Sequence, residues 1–230
     1  MLFSEVHPDA MRFIDPVRQA IDWHGLVSEK EARQWRMKGD ALFAQLFVLA
    51  GYRASAKGQV LLLRDWSHID YHGVPYQRPT MRPRVVEVLE KQFEVVRTAT
   101  VRHPIDQYLS LMNLAIMQGV PMPIGAYLDG CLAFAEEAVR IGFVRYEDFT
   151  HDPDAHLRLL CDRLDLAFDP TYVDRWAAFE HVTGDTTGTR GGRQEIRPLK
   201  RRQADPRLVE KFRSFESYAR VKEMLGYEED

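Results

Sequence analysis

The chain has 230 residues, 45% of them apolar, with 31 basic against 34 acidic side chains and a formal charge of −3. That size suits one α/β domain with a sizeable core, and the charge balance excludes a globally basic nucleic-acid coat and a highly charged disordered chain. No stretch approaches the ~18 apolar residues of a membrane span, the start lacks a basic-then-apolar signal region, and Cys131 and Cys161 have no CxxC spacing, so the reading is a cytoplasmic protein without a disulfide framework or structural zinc.

In chain order, the opening MLFSEVHPDA receives no element of its own. Asp15-Pro16 opens a short apolar run through Val17, Ile21 and Trp23. Ser28 with Glu31 three residues later is a capping-box pattern. It predicts one helix with Trp35, Leu42, Leu46 and Leu49 on its inner face, ending at Gly51. The short apolar run 59–64 reads as a buried parallel strand. A short helix is expected over 85–91 and a second strand over 93–101, where β-branched residues are frequent. His103-Pro104 stops that strand, and Pro104 can hold the first position of a helix carrying Tyr108, Leu111, Met112, Ala115 and Ile116. A helix over 127–140 and a third strand over 141–146 follow. Asp152-Pro153 and Asp205-Pro206 are each an N-cap with proline at the first helical position. Between them, 183–203 is polar and Gly/Arg-rich and reads as a long loop. Strands alternating with helices imply an α/β fold with a mostly parallel sheet, taken as a single domain over 1–230. Ligands of such sheets bind beyond the carboxyl ends of the strands, which directs attention to residues just after Leu63, Val101 and Val144.

Arg102 leaves the second strand, and Ser110 lies about two turns into the next helix. A guanidinium fork and a hydroxyl so placed can converge on one anion. The plainer alternative is a surface ion-pair arginine and a serine packed on a neighbouring helix. The late loop carries six basic residues over 190–202 against one acid, Glu195. Gly188, Gly191 and Gly192 would let backbone N–H groups approach an anion closely, although a basic run is often only a solvated loop. No aromatic interleaves the run, which argues against a nucleic-acid surface. His68 follows the first strand, where a reacting group belongs, and His72 is its rival. Asp65 and Asp70 flank His68 and either could orient it. There is neither a His/Glu pair at metal-ligand spacing nor a G-x-S-x-G elbow.

Arg102-His-Pro-Ile-Asp106 followed by Ser110 resembles the 3′-phosphate-binding segment of sulfotransferases that use 3′-phosphoadenosine 5′-phosphosulfate (PAPS). Phe143-Val-Arg-Tyr-Glu-Asp-Phe149 with Asp152-Pro153 resembles a later strand and helix of that family. Phe168-Asp-Pro170 resembles the segment after it, and Thr183-Gly-Asp-Thr-Thr-Gly188 with Arg190 and Arg193 is similar to its late cofactor loop. The resemblance implies a P-loop-like three-layer α/β fold and in-line transfer of a sulfuryl group from PAPS to a hydroxyl or amine. Arg102, Ser110, Gly188, Arg190 and Arg193 would bind the cofactor, and His68 would act as base without a metal. The acceptor would be a small molecule or glycan, with the stretch 71–82 and its Tyr76 lining the acceptor site. Cytosolic members carry a lysine where Trp66 stands here, which leaves Arg64 as a candidate replacement cation.

The family's glycine-rich sulfate-binding loop has no counterpart: the first glycine is Gly25, and no G-x-x-x-x-G-[KR] run occurs. Met1 to Pro8 resembles the segment just downstream of that loop. The expectation is therefore a chain lacking the family's first strand and loop, with exposed strand edges that invite aggregation or homodimerisation. A binding-only descendant of the fold is the alternative. A P-loop kinase fragment is a third reading, disfavoured by the missing Lys-Ser/Thr signature.

Overall fold

Among the described residues, four α-helices begin in the same way. Asp15, His103, Asp152 and Asp205 each precede a proline, and their side chains accept hydrogen bonds from the backbone N–H of Val17, Ile105, Ala155 and Arg207 respectively. The cap satisfies an amide that the helix cannot, and proline occupies a position where no N–H is needed. The structure is a computed structural model that describes residues 1–74, 78–176, 181, 183, 196–198 and 200–228. In order, the elements are β1 (Leu2–Val6), α1 (Pro16–Asp22), α2 (Glu29–Ala32), α3 (Gly39–Ser55), β2 (Leu62–Asp65), α4 (His68–His72), α5 (Arg84–Leu89), β3 (Ala99–Val101), α6 (Pro104–Met112), α7 (Ile124–Ile141), β4 (Phe143–Arg145), α8 (Tyr146–His151), α9 (Pro153–Arg163), α10 (Tyr172–Arg175), α11 (Pro206–Arg213) and α12 (Glu216–Leu225). None of the described helices is long and apolar enough to cross a membrane.

Two compact units divide the chain. The first takes residues 1–67, 82–95 and 177–192. In it β1 and β2 pair in parallel, Leu2 opposite Leu62 and Phe3 opposite Leu63, with a register irregularity between Ser4 and Val6. A parallel pair needs a long crossover, here supplied by α1 to α3. Phe3, Val6, Phe43, Leu46, Phe47 and Val88 form its core. Fully burying a side chain of the Phe or Leu class contributes about 1.5–3 kcal/mol each. Ser4 of β1 is also bridged by Gln19, whose carboxamide accepts from the Ser4 N–H at 2.8 Å and donates to the Ser4 carbonyl at 2.7 Å. A side-chain amide thus satisfies buried strand backbone that water cannot reach.

The second unit takes residues 68–81, 96–176 and 193–230. Its strands β3 and β4 are also parallel, Ala99 opposite Phe143 and Val101 opposite Arg145, with α6 and α7 in the crossover. Ile105, Leu111, Tyr127, Leu128, Phe212 and Val221 belong to its core. Helix α7 packs on α4 at very short range. A Cβ added at Gly130 would stand 1.9 Å from the Tyr71 carbonyl oxygen, so only glycine admits this approach.

Several sequence expectations need correction. The opening residues form a strand, β1. Its alternation is broken because Glu5 sits at a φ of 54°, beside the register irregularity, which hides the period of two. The Ser28–Glu31 capping box exists, but it opens only the short α2; the long helix is separate and starts at Gly39. Gly51 lies inside α3 rather than ending it, and a Cβ there would meet the Phe93 ring at 3.1 Å. The second strand is confined to Ala99–Val101, and residues 93–98 carry no regular structure.

Candidate functional site

The site grows from the tip of β3. Arg102 follows the last strand residue directly, and Pro104 then starts α6, so a strand tip and a helix N-terminus are joined by two residues. Gln107 and Ser110 are one helical turn apart on α6. Tyr146 follows β4, the parallel neighbour of β3. His68 is the first residue of α4. These five side chains, with Thr100, Val101, Leu111 and Leu114, line one cavity of about 240 Å³ within the second unit.

Arg102 dominates the electrostatics of this cavity. Its guanidinium lies over the Tyr146 ring, 5.0 Å from the centroid. Its Nε is buried and, among the described residues, has no hydrogen-bond partner. Such a donor is unusual, because a buried polar atom of a charged group that is left unsatisfied is destabilising by roughly 1–3 kcal/mol or more. Ser110 adds a hydroxyl and Gln107 an amide, both able to donate to an anion.

The rest of the Arg102–Asp106 motif is structural. Asp106 is buried, accepts from Arg201 Nε at 2.6 Å and from the Arg202 backbone N–H at 3.1 Å, and so ties the end of the late loop to α6. Arg201 also contacts His103 Nδ1 at 2.9 Å. Glu147 accepts from the His103 N–H at 3.0 Å and from the Tyr227 hydroxyl at 2.9 Å. One of the six cations of the late loop is therefore committed to a buried carboxylate.

His68 Nδ1 lies 3.3 Å from Nδ1 of His72. His72 is packed against α7: its ring stacks on Tyr127 at 4.9 Å, and its Nε2 is 3.6 Å from Cys131 Sγ. Burial, and then the neighbouring His68, hold the His72 imidazole well below its ordinary pKa, so it stays neutral. Burial also pushes the Cys131 thiol up to about 12 and keeps it protonated. The Nδ1 of His68 thus meets an imidazole, and Asp70 accepts from Thr80 Oγ1 at 3.0 Å.

Of the residues singled out from sequence, His68, Arg102 and Ser110 share one cavity. Gly188, Arg190 and Arg193 fall outside the described residues, as does Tyr76. Arg64 pairs with Glu5 and donates to the Thr183 carbonyl at 3.1 Å, all within the first unit. Among the described residues, Arg102 is the cation that lines the cavity. Gln107 and Tyr146 were not singled out. Their signals were present: Gln107 is three residues before Ser110, and Tyr146 stands at the carboxyl end of a strand, the position the parallel-sheet rule marks.

No protein-family model matches the chain, and no curated protein matches it. Two solved structures are similar. A sulfotransferase domain from the curacin biosynthetic pathway aligns with 80% of this chain and 69% of its own length, at 18% identity and a TM-score of 0.45. A sulfotransferase domain from the Synechococcus PCC 7002 olefin synthase aligns with 98% of this chain and 85% of its own length, at 18% identity and a TM-score of 0.54. On the second of these likenesses, the chain has an α/β fold of the sulfotransferase-domain kind.

Proposed function

We propose that this protein is a sulfotransferase that moves a sulfuryl group from PAPS to a hydroxyl or amine acceptor, and that residues 1–230 act as one domain in doing so. The observation that carries the reading is Arg102: a buried guanidinium nitrogen without a partner, in a cavity that also holds Ser110 and His68. The residues fit a nucleotide bearing anions on one ribose, because anchors for the 3′-phosphate and a base for transfer at the 5′ side then need to share a cavity. At about 240 Å³ the cavity falls below the ~300–1,000 Å³ of sites that enclose a whole drug-sized ligand, so it suits the phosphate end of the donor rather than the whole molecule.

PAPS, when bound, supplies the sulfuryl group and departs as adenosine 3′,5′-bisphosphate. Arg102 grips the 3′-phosphate with its fork while Tyr146 supports the guanidinium from one face, and Ser110 donates its hydroxyl. Gly188, Arg190 and Arg193 close over the nucleotide in this reading. His68 accepts the acceptor's proton as the acceptor atom bonds to sulfur and the S–O bond to the 5′-phosphate breaks, the electron pair remaining on that phosphate. Hydroxyl-bearing small molecules and glycans are the acceptor classes that fit this chemistry.

Calorimetric titration with adenosine 3′,5′-bisphosphate tests the binding half: heat at micromolar ligand is expected, and none at millimolar ligand overturns the reading. A sulfate-transfer assay tests the rest. Replacing His68 by alanine is expected to lower the rate by about 10²–10⁴-fold, the usual weight of a general base. Equal rates for both proteins would remove His68 as the base. Tight bisphosphate binding without any transfer would favour a binding-only descendant instead.

A further inference from the structure

The first unit holds a cavity of its own, of about 360 Å³, which no step of the proposed reaction uses. Two junctions of the chain build it. Arg12, Asp15 and Val17 come from the entry to α1, and Ala32, Trp35 and Met37 from the end of α2 and its link to α3. That link reads Trp35-Arg-Met-Lys38, with apolar residues alternating with cations, and its two apolar members are the ones that line the cavity. Trp35 and Val17 also pack on the core of this unit, which supports the floor. Six of the eight lining side chains are apolar, and the volume lies within the ~300–1,000 Å³ of sites that take small organic ligands. Apolar surface stays open to water here: Met37 is 39% exposed, and so is Phe13, next to Arg12, at 37%.

The charged groups around the cavity are not balanced. Asp15 is engaged, its Oδ1 accepting from the Val17 N–H at 2.8 Å as the cap of α1. Other acids of α2 and α3 are engaged too: Glu29 by Arg18 and Arg33, Glu31 by Ser28, and Asp40 by Arg84. Arg12, by contrast, lies over the Phe13 ring at 4.7 Å and has no carboxylate partner among the described residues. Arg36 donates to the Arg33 carbonyl at 3.3 Å, and neither it nor Lys38 has a carboxylate partner there. An incoming cation would find the acids taken, whereas an anion would find a free guanidinium fork, the donor geometry that suits a carboxylate. The apolar walls suit a flexible hydrocarbon body, because the unbranched methionine side chain adapts to the shape of what covers it.

We infer that this cavity binds a free medium-chain aliphatic carboxylate, its chain against Trp35 and Met37 and its carboxylate on Arg12. The inference goes beyond the sulfotransferase reading and does not depend on it, since the two cavities share no lining residue.

Octanoate and octan-1-ol are the probes, titrated into the intact protein by calorimetry and by tryptophan fluorescence. Saturable octanoate binding in the roughly millimolar range is expected for a ligand of this size, and its absence overturns the inference. Arg12→Gln changes an exposed side chain and is expected to weaken octanoate about fivefold while leaving octan-1-ol unchanged. No effect on octanoate, or an equal effect on both probes, overturns the role of the cation. Trp35→Phe keeps an aromatic wall and is expected to retain the heat of binding but lose the fluorescence change; a change that persists places the ligand elsewhere. Ala32→Phe fills the cavity and is expected to abolish binding of both probes, and unchanged binding again overturns the site. Sedimentation and vesicle flotation test other occupants. A dimer dissolved by Met37→Lys, or binding to anionic vesicles without binding of octanoate, gives this face to a second copy or to a lipid surface and overturns the inference. Bisphosphate binding is read separately, so either result with octanoate leaves the sulfotransferase reading standing.

Discussion

The two units of this protein treat a half-buried arginine in opposite ways. In the first unit, Arg84 at the start of α5 is surrounded by carboxylates: its Nε is 3.2 Å from Asp9, one terminal nitrogen is 2.9 Å from Asp40, and the other is 3.2 Å from Glu87. In the second unit, Arg102 at the tip of β3 has no carboxylate partner among the described residues, rests on the Tyr146 ring, and leaves a buried Nε unsatisfied beside a cavity. Each unit is built on a parallel strand pair with helices in the crossover, and the difference lies in what surrounds the cation. A guanidinium ringed by acids completes the fold and has nothing left to offer a ligand. One that is desolvated without a counter-charge is unfavourable for folding, and an incoming anion relieves that.

This contrast can be broken experimentally, beginning with the largest effect. Arg102→Ala should lower the affinity for adenosine 3′,5′-bisphosphate by ten- to a hundredfold, about 1.5–3 kcal/mol, while thermal stability holds or rises slightly. Unchanged affinity in the calorimeter would show that the cation is not a ligand anchor. Gly130→Ala should destabilise the protein by about 1–3 kcal/mol, because backbone of α4 must move away from α7, and a melting curve overlaying the parent's would refute that contact. Arg84→Ala should reduce stability by about 1–2 kcal/mol, discounted for the partial exposure of all three acids, and leave nucleotide affinity as it was. A change in affinity without loss of stability would erase the distinction between the two arginines.

The smallest effect is a pH dependence. Burial, with His68 beside it, depresses the His72 pKa in the folded state, while the unfolded chain takes up this proton near pH 6.5. Above about 6.5 neither state binds the proton and the contribution is fully present. As pH falls below 6.5 the unfolded state binds it first, so stability declines by at most about 1.4 kcal/mol per pH unit until the folded ring also titrates. Denaturant titrations at stepped pH should find this slope in the parent and a flatter one in His72→Asn. Equal slopes would mean that His72 is not held neutral.

Much of this contrast could be read in the sequence, and some of it could not. Local chemistry was legible: of the six sites where Asp or His precedes proline, five cap a helix, His7 among them at the short 3-10 turn Pro8–Ala10, and only Asp169 does not, its carboxylate accepting instead from the Thr171 N–H in a turn. The placement of Arg102 and Ser110 was legible too, since a strand tip followed by a proline-started helix puts residues eight apart near one end of the sheet. The strand β1 was not, because Glu5 breaks its alternation at a left-handed backbone position. The end of the long helix was misplaced because glycine often terminates helices, whereas Gly51 serves side-to-side packing against Phe93.

By itself, then, the sequence determined where the proline-started helices begin and which cation and hydroxyl follow the strand Ala99–Val101, whereas the strand Leu62–Asp65, in the run it marked as buried, is partly exposed. The first two follow from interactions within a few residues, which the local chain supplies alone. Only the tertiary structure decided that Arg84 is neutralised and Arg102 is not, that Asp106 holds Arg201, and that His72 stands between His68 and Cys131. Those outcomes depend on which distant groups share a low-dielectric space and which remain without a partner there, and that is settled by packing between elements rather than by neighbours along the chain.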